Sequence, residues 1–279
     1  MSLENQLEQY LLEIYSYKTL VEDYGLNSNK IVDAYLIYKF EKELSCLILK
    51  NCLYVEHFFK IALSNFIDKY ISDQEVDYLN PNNYSRNHRN KCKLNQIIKE
   101  LGNQKNTNQE LKTIIKRNNN NLPSRVAMDY LTFGQLFNWY KILKKDDKKH
   151  VIRQFFPNFQ INNNDFVKAL ERVYKLRNST AHSDNLFELK VKNCILTNGI
   201  SSNLGIHQCL SEGKKFHGDD LFTSIVCTIL LLRDPLSVNQ FIDELTNFFI
   251  ENENISNINM FDFFNIPHDM PNRLNKLKK

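Results

Sequence analysis

The sequence predicts an all-α protein, and three observations carry that prediction. The 279 residues contain only seven glycines and six prolines, too few to punctuate the turns of a sandwich or barrel. Lys, Glu, Leu and Ile are abundant, and apolar residues recur at three- and four-residue steps through long uninterrupted stretches. A composition of 42% hydrophobic and 24% charged residues fits a globular chain long enough to bury a sizeable core. No internal repeat and no long linker marks a boundary, so a single domain over 1–279 is expected.

In chain order, residues 4–24 read as an amphipathic helix closed by Gly25, with a cap in "NSNK" (27–30) reopening helix. From Ile31 to about Ile71 neither Gly nor Pro intervenes. Leu44, Leu47, Ile48, Val55, Phe58, Phe59, Ala62 and Phe66 keep helical spacing there, giving one very long helix or two joined by a kink. "YLNPNNYS" (78–85) and "NNNNLPS" (118–124) read as loops. Helical patterns resume at 131–145 and 147–156. A further helix leads into "RNSTAH", with Phe166, Ala169, Leu170, Val173 and Leu176 on one side and Asp165 as its cap. Residues 187–218 are irregular, with limited strand content expected. Two helices separated by Pro235 follow, and the tail 266–279 reads as loose and basic.

Several function classes fall away. The six cysteines (Cys46, Cys52, Cys92, Cys194, Cys209 and Cys227) form no C-x-x-C and no zinc spacing, which suits a reduced, cytoplasmic protein. The N-terminus lacks a signal-peptide core. The longest apolar run, near 224–232, is about half a membrane span. No H-x-x-E or D-x-D pair, P-loop, dinucleotide fingerprint or nucleophile elbow is present, so neither metal nor cofactor is expected. A net charge of +4 does not by itself identify a nucleic-acid binder. The asparagine runs at 118–121 and 162–164 are explained most simply by an AT-rich genome.

Attention narrows to "KLRNSTAHSDNLF" (175–187), where Arg177 and His182 close an amphipathic helix and small residues leave room around them. Nine arginines and seven histidines give this spacing a chance occurrence of about 0.2, so the six letters alone say little. Helix-end Arg and His often do no more than satisfy the last carbonyls and the negative end of the dipole. The chemistry such a pair suits is RNA cleavage without a metal: histidine takes the proton of a ribose 2′-hydroxyl, and arginine stabilises the charge building on phosphorus. On a continuous helix, however, the two side chains lie about 140° apart, while Asn178 and His182 are i,i+4 neighbours. Arg177 and His182 converge only if the helix ends or bends at the motif, or if a second subunit completes the site.

These residues do not stand alone. "LRNSTAH" resembles the R-N-x-x-x-H signature of HEPN domains, and "FEKELSCLILKNCLYVEHFFKIALSNFI" (40–67), "YLNPNNYS", "LTFGQLFNWYKIL" and "LRNSTAHSDNLF" resemble, in order, the segments of the AbiD/AbiF-like branch of the abortive-infection (Abi) proteins. The resemblance covers about residues 35–190. It implies a HEPN-type bundle of long antiparallel helices over about 31–190, with a helical extension over about 191–265. It further implies a homodimer with a composite ribonuclease cleft, a role in phage defence or toxin–antitoxin control, and a small non-coding RNA as antitoxin. One departure is Asn185, where the family commonly carries a basic residue.

The expected catalytic residues are therefore Arg177, His182 and Asn178, with Asn178 contacting backbone or aligning His182. Glu56, a carboxylate in an otherwise apolar helix, needs a partner; Lys60 at i+4 is the simple one, and orienting Arg177 or His182 the sharper one. His57, Trp139 and Tyr140 read as structural. Residues 86–117 are the most basic long segment, and Arg86, Arg89, Lys91, Lys93, Lys112, Lys116 and Arg117 are the candidate RNA contacts, against a solvated lysine-rich face. "KKDDKKH" (144–150) alternates in sign and suits a surface turn better than an RNA groove. A non-catalytic RNA- or partner-binding protein on the same scaffold is the competing reading.

Overall fold

The structure, a computed structural model, describes residues 3–14, 31–157, 161–191, 220–255 and 257–279. The fold is all-α. Its helices are α1 (Leu3–Ile14), α2 (Ile31–Tyr70), α3 (Glu75–Tyr78), α4 (His88–Thr107), α5 (Gln109–Arg117), α6 (Ser124–Asp129), α7 (Phe133–Ile142), α8 (Lys145–Phe155), α9 (Asn163–His182), α10 (Leu221–Leu231), α11 (Pro235–Glu251), α12 (Met260–Phe263) and α13 (Met270–Asn275). A two-residue antiparallel pair, β1 (Asn254–Ile255) with β2 (Ile258–Asn259), is the sole sheet among the described residues. No helix of the described residues is long and apolar enough to cross a membrane.

The chain divides into two compact units, 1–53 with 175–279, and 54–174, so that α2 and α9 each contribute to both. The alternative of one long helix or two kinked ones resolves to a single 40-residue helix, about 60 Å of rise, because nothing in 31–70 removes a backbone donor or invites a left-handed residue.

In the first unit α2 buries Ile37, Phe40, Leu44, Ile48 and Cys52. The Phe40 ring lies tilted at 4.6 Å from Phe248 and 5.3 Å from Phe264, joining α2 to α11 and to the end of α12. Lys50 bridges to Glu244 of α11 at 2.9 Å. Pro235 opens α11 at its first turn, where its missing N–H has no partner to lose. The tail expected to be loose is instead docked. Met270 and Leu274 of α13 are fully buried. Lys279 exchanges two backbone hydrogen bonds with the Asn239 side chain (3.0 and 2.9 Å), and Lys278 pairs with Asp243 at 2.6 Å. Apolar residues at 270, 274 and 277 supply the anchoring that a count of lysines hides. Of the stretch 187–218, for which limited strand content was expected, residues 192–218 lie outside the described residues.

The second unit packs an aromatic core. Phe59 of α2 lies 5.9 Å from both Phe133 and Tyr140 of α7, and Phe155 of α8 meets Phe166 of α9 at 5.2 Å. Trp139 and Tyr140 are fully buried, as expected of core residues. Trp139 donates to the Tyr84 hydroxyl at 2.8 Å, Tyr84 donates to the Tyr78 carbonyl, and Tyr78 donates to the Leu122 carbonyl at 2.6 Å. This buried relay pins both expected loops, and the first of them contains a 3₁₀ turn at Pro81–Asn83.

Two local expectations change. Asn119 and Asn120 adopt φ of 54° and 60°, a left-handed conformation that asparagine tolerates, and Asn121 accepts the Glu75 N–H at 2.8 Å and donates to the Asp73 carbonyl at 3.0 Å. The asparagine run thus has conformational work beyond codon bias. The cap of α9 is Asn162, whose side chain accepts from Asp165 N at 2.9 Å and donates back to Asp165 Oδ2 at 2.5 Å, so Asp165 is the reciprocal partner three residues in. In the L-T-x-G segment, Thr132 and Gln135 form a capping box that starts α7. Gly134 lets the Tyr174 ring approach: a Cβ there would sit 3.1 Å from the Tyr174 hydroxyl.

Candidate functional site

The motif occupies the last two turns of α9, in the first unit. The helix runs unbroken from Asn163 to His182, with no bend between Arg177 and His182. Leu176 is fully buried and anchors the turn, while Arg177 and Asn178 are half-buried and His182 is exposed. Thr180 turns inward, its hydroxyl bonding the carbonyls of Leu176 and Arg177, both at 2.9 Å. Arg177 Nη1 donates to Asn178 Oδ1 at 3.3 Å, so the neighbour that Asn178 orients is the arginine rather than His182. His182 makes no hydrogen bond among the described residues.

That end has a defined geometry. Ser183 takes φ 61°, and Asp184 N–H reaches back to the Ser179 carbonyl at 2.9 Å, the six-residue closure of a Schellman motif with serine in the position glycine usually fills. The chain beyond is tied to α2. Lys42 Nζ donates to the Ser183 carbonyl at 3.3 Å, and Glu41 accepts the Leu186 N–H at 2.5 Å. Glu41 is a carboxylate at 0% exposure, and Leu186 beside it is fully buried. Sequence reasoning missed Glu41. Its signal was available: 37, 41, 44 and 48 form one stripe of α2, and an acid inside such a stripe must hold something.

The basic segment of the second unit separates into parts. Arg86, Arg89, Lys91 and Lys93 gather at the start of α4. Lys105, near its far end, pairs with Glu75, whose backbone meets Asn121 just beyond α5. Lys112, Lys116 and Arg117 lie on α5, with that far end. The start of α4 gains cations that the sequence did not group with it. Burial, then Lys141, Arg89 and Lys148, hold the Lys93 pKa below that of an ordinary lysine. Lys148 sits on α8, donates to the Lys141 carbonyl at 2.7 Å, and has its own pKa lowered by burial. "KKDDKKH" is therefore a helix start, and one of its lysines joins a cation cluster.

The Abi-like protein family matches residues 5–188, from α1 through the 3₁₀ turn (Leu186–Glu188) that follows the motif. The chain belongs to the Abi-like family. The match includes the N-terminal segment that the motif-by-motif resemblance left aside, and it stops where Glu41 secures the chain beyond His182. No curated protein and no solved structure matches this Abi-like chain.

Glu56, the remaining candidate, is a carboxylate buried to 8% exposure in the 54–174 unit of the Abi-like protein. Lys60, the simple partner foreseen for it, lines a concavity of about 280 Å³ with His57, Ser64, Asn65, Arg125 and Asp129. Asn185, the departure from the basic residue common in the family pattern, is half-buried at the start of the 3₁₀ turn.

Proposed function

We propose that this protein is a metal-independent endoribonuclease of the HEPN type, working as a homodimer in phage defence or toxin–antitoxin control. The observation that carries the reading is the end of α9. An unbroken helix presents Arg177 and His182 on its last turns, stops directly after them, and is secured there by Glu41 and Lys42. An exposed imidazole can take the proton of a ribose 2′-hydroxyl near neutral pH. The resulting oxygen attacks the adjacent phosphorus, and the 5′-oxygen leaves with a proton, giving a 2′,3′-cyclic phosphate and a 5′-hydroxyl. A guanidinium held by Asn178 stabilises the charge that accumulates on the phosphoryl oxygens.

Because α9 does not break between the two residues, about 140° of helix rotation separates them within one chain. Two motifs facing across a two-fold axis would bring base and guanidinium to the same phosphate from rigid helix ends. A small non-coding RNA that restrains the enzyme belongs to the same proposal.

The test is to incubate the purified protein with total RNA and a chelator, then map the ends. Cleavage should persist and leave cyclic phosphates; magnesium-dependent cleavage or 5′-phosphate ends would overturn the mechanism. His182→Ala should abolish cleavage and cell toxicity while the protein stays folded. Mixing Arg177→Ala chains with His182→Ala chains should restore about a quarter of wild-type activity, since half of randomly formed dimers carry one intact composite centre out of two. A strictly monomeric, fully active protein would rule the composite site out.

A further inference from the structure

The end of the motif helix borders a second feature of the first unit. Tyr35, Tyr38, Lys39, Lys42, Glu43 and Cys46 follow three- and four-residue steps along α2, which places them on one helical face. Together they line an open cavity of about 510 Å³, within the size range of small-ligand sites. Lys42 ties this face to the motif. Its ammonium donates to the Ser183 carbonyl at 3.3 Å, directly after His182, and sits 5.0 Å from the centre of the Tyr38 ring. The side chain that tethers the helix end is thus also a wall of the cavity.

The lining has the chemistry of a nucleotide. Two tyrosine rings offer apolar surface that accepts any base laid against it. Lys39 and Lys42 set against Glu43 leave one net positive charge, the complement of a single phosphodiester. Lys39 lies 3.9 Å from Glu43 with both side chains more than half exposed, so their pairing holds neither group tightly. An ammonium has three donors, and the Ser183 carbonyl takes one of those on Lys42. We propose that this cavity holds the nucleotide of single-stranded RNA beside the scissile phosphate, its base against Tyr35 and Tyr38 and its phosphate on Lys39 and Lys42. The inference rests on RNA being cut at the motif, and it adds to that reading the place where the flanking nucleotide is held. Rings and ammoniums discriminate little between bases, so the site grips sequence-tolerantly.

Cys46 supplies the readout. It is an exposed thiol that lines the cavity, and Cys92, exposed in the other unit, serves as its reference. The full chain is alkylated with a maleimide, with and without a 2′-O-methyl oligoribonucleotide, which lacks the hydroxyl needed for cleavage. Bound RNA should slow labelling of Cys46 several-fold, read by peptide mass spectrometry, and leave Cys92 unchanged. Equal labelling of Cys46 at saturating RNA overturns the site. Protection that rises with protein concentration and needs no RNA overturns it too, and assigns the face to a second copy of the chain. Binding of the same oligonucleotide across a salt series then tests the residues. Lys39→Met and Lys42→Met should each lower the slope of log affinity against log salt by about 0.7. Tyr35→Leu/Tyr38→Leu should weaken binding roughly tenfold at an unchanged slope, since stacking carries no charge. Glu43→Gln should tighten binding about two- to threefold, a gain that misfolding cannot imitate. Because Lys42→Met also releases the helix end, the decision falls to Lys39→Met and Glu43→Gln: an unchanged slope in the first or no gain in the second overturns the site. Failure here is separable from failure of the nuclease. Cleavage of natural RNA by a protein whose Cys46 stays unprotected keeps the enzyme and removes the site. Protection of Cys46 in a protein that cuts nothing keeps an RNA-binding face and removes the enzyme.

Discussion

Replacing Glu41 by alanine tests how the end of the motif helix is held. The Glu41 carboxylate accepts the Leu186 N–H at 2.5 Å with no exposure to water, and Leu186 is itself fully buried. A hydrogen bond to a charged group contributes about 1.5–3 kcal/mol, and leaving the Leu186 N–H buried without an acceptor adds part of a further 1–3 kcal/mol. No longer burying a carboxylate offsets some of that. We expect a net loss of about 2–4 kcal/mol, which in a chain of this size lowers Tm by roughly 5–12 °C. Glu41→Gln keeps a carbonyl acceptor and should cost about half as much. Two assays read this, thermal unfolding by circular dichroism and hydrogen exchange at the Leu186 amide, which should lose protection in Glu41→Ala. RNA cleavage at 25 °C, where the variant remains folded, should fall at least about tenfold, because a base displaced by about 1 Å loses most of its advantage. A Tm within about 1 °C of wild type, with Leu186 still protected, would refute the tether.

Gly134→Ala gains about 1 kcal/mol of helix propensity but presses a methyl to 3.1 Å of the Tyr174 hydroxyl, whose ring already meets Phe133 edge-on at 5.8 Å. Overpacking of about 1–3 kcal/mol outweighs the gain, so denaturant melts should show a net loss of up to about 2 kcal/mol and a larger one for Gly134→Val; stabilisation by the full propensity term would show that the ring yields freely. Ser183→Gly removes the penalty of a left-handed serine at φ 61° but adds backbone entropy to the unfolded chain, for a net gain of about 0.5 kcal/mol; a lowered Tm would contradict the Schellman assignment. Lys93→Met should raise Tm by about 1 °C after screening at its partly exposed site is allowed for. The sign follows from its lowered pKa: folding disfavours the charged form, so the penalty is full at neutral pH and vanishes as pH rises to the unfolded lysine value. The stabilisation should therefore disappear in strongly alkaline buffer, and a gain independent of pH would assign it to packing instead.

What the sequence determined by itself was everything governed by neighbours along the chain. Helical periodicity and the absence of breakers announced continuous helical sequence through the span of α2, the buried face of α9 and the core positions of Trp139 and Tyr140, because a helix repeats its environment every three to four residues. The Arg177–His182 spacing was equally legible, and so was its difficulty, since 100° per residue is a property of the helix and not of the fold. Tertiary structure decided which distant groups share a locality. Only packing brings Lys141 and Lys148 to Lys93, so a run of alternating charge that reads as a surface turn becomes part of a cation cluster. Only packing gives the buried Glu41 the amide of Leu186, 145 residues along the chain, and makes it the tether of the motif. The same holds for the tail, whose lysines suggested freedom until Asn239, Asp243 and the buried Met270 and Leu274 claimed it. Local geometry is written in short-range steric preference, whereas the partner of a charge or a buried polar group depends on contacts that no window of sequence contains.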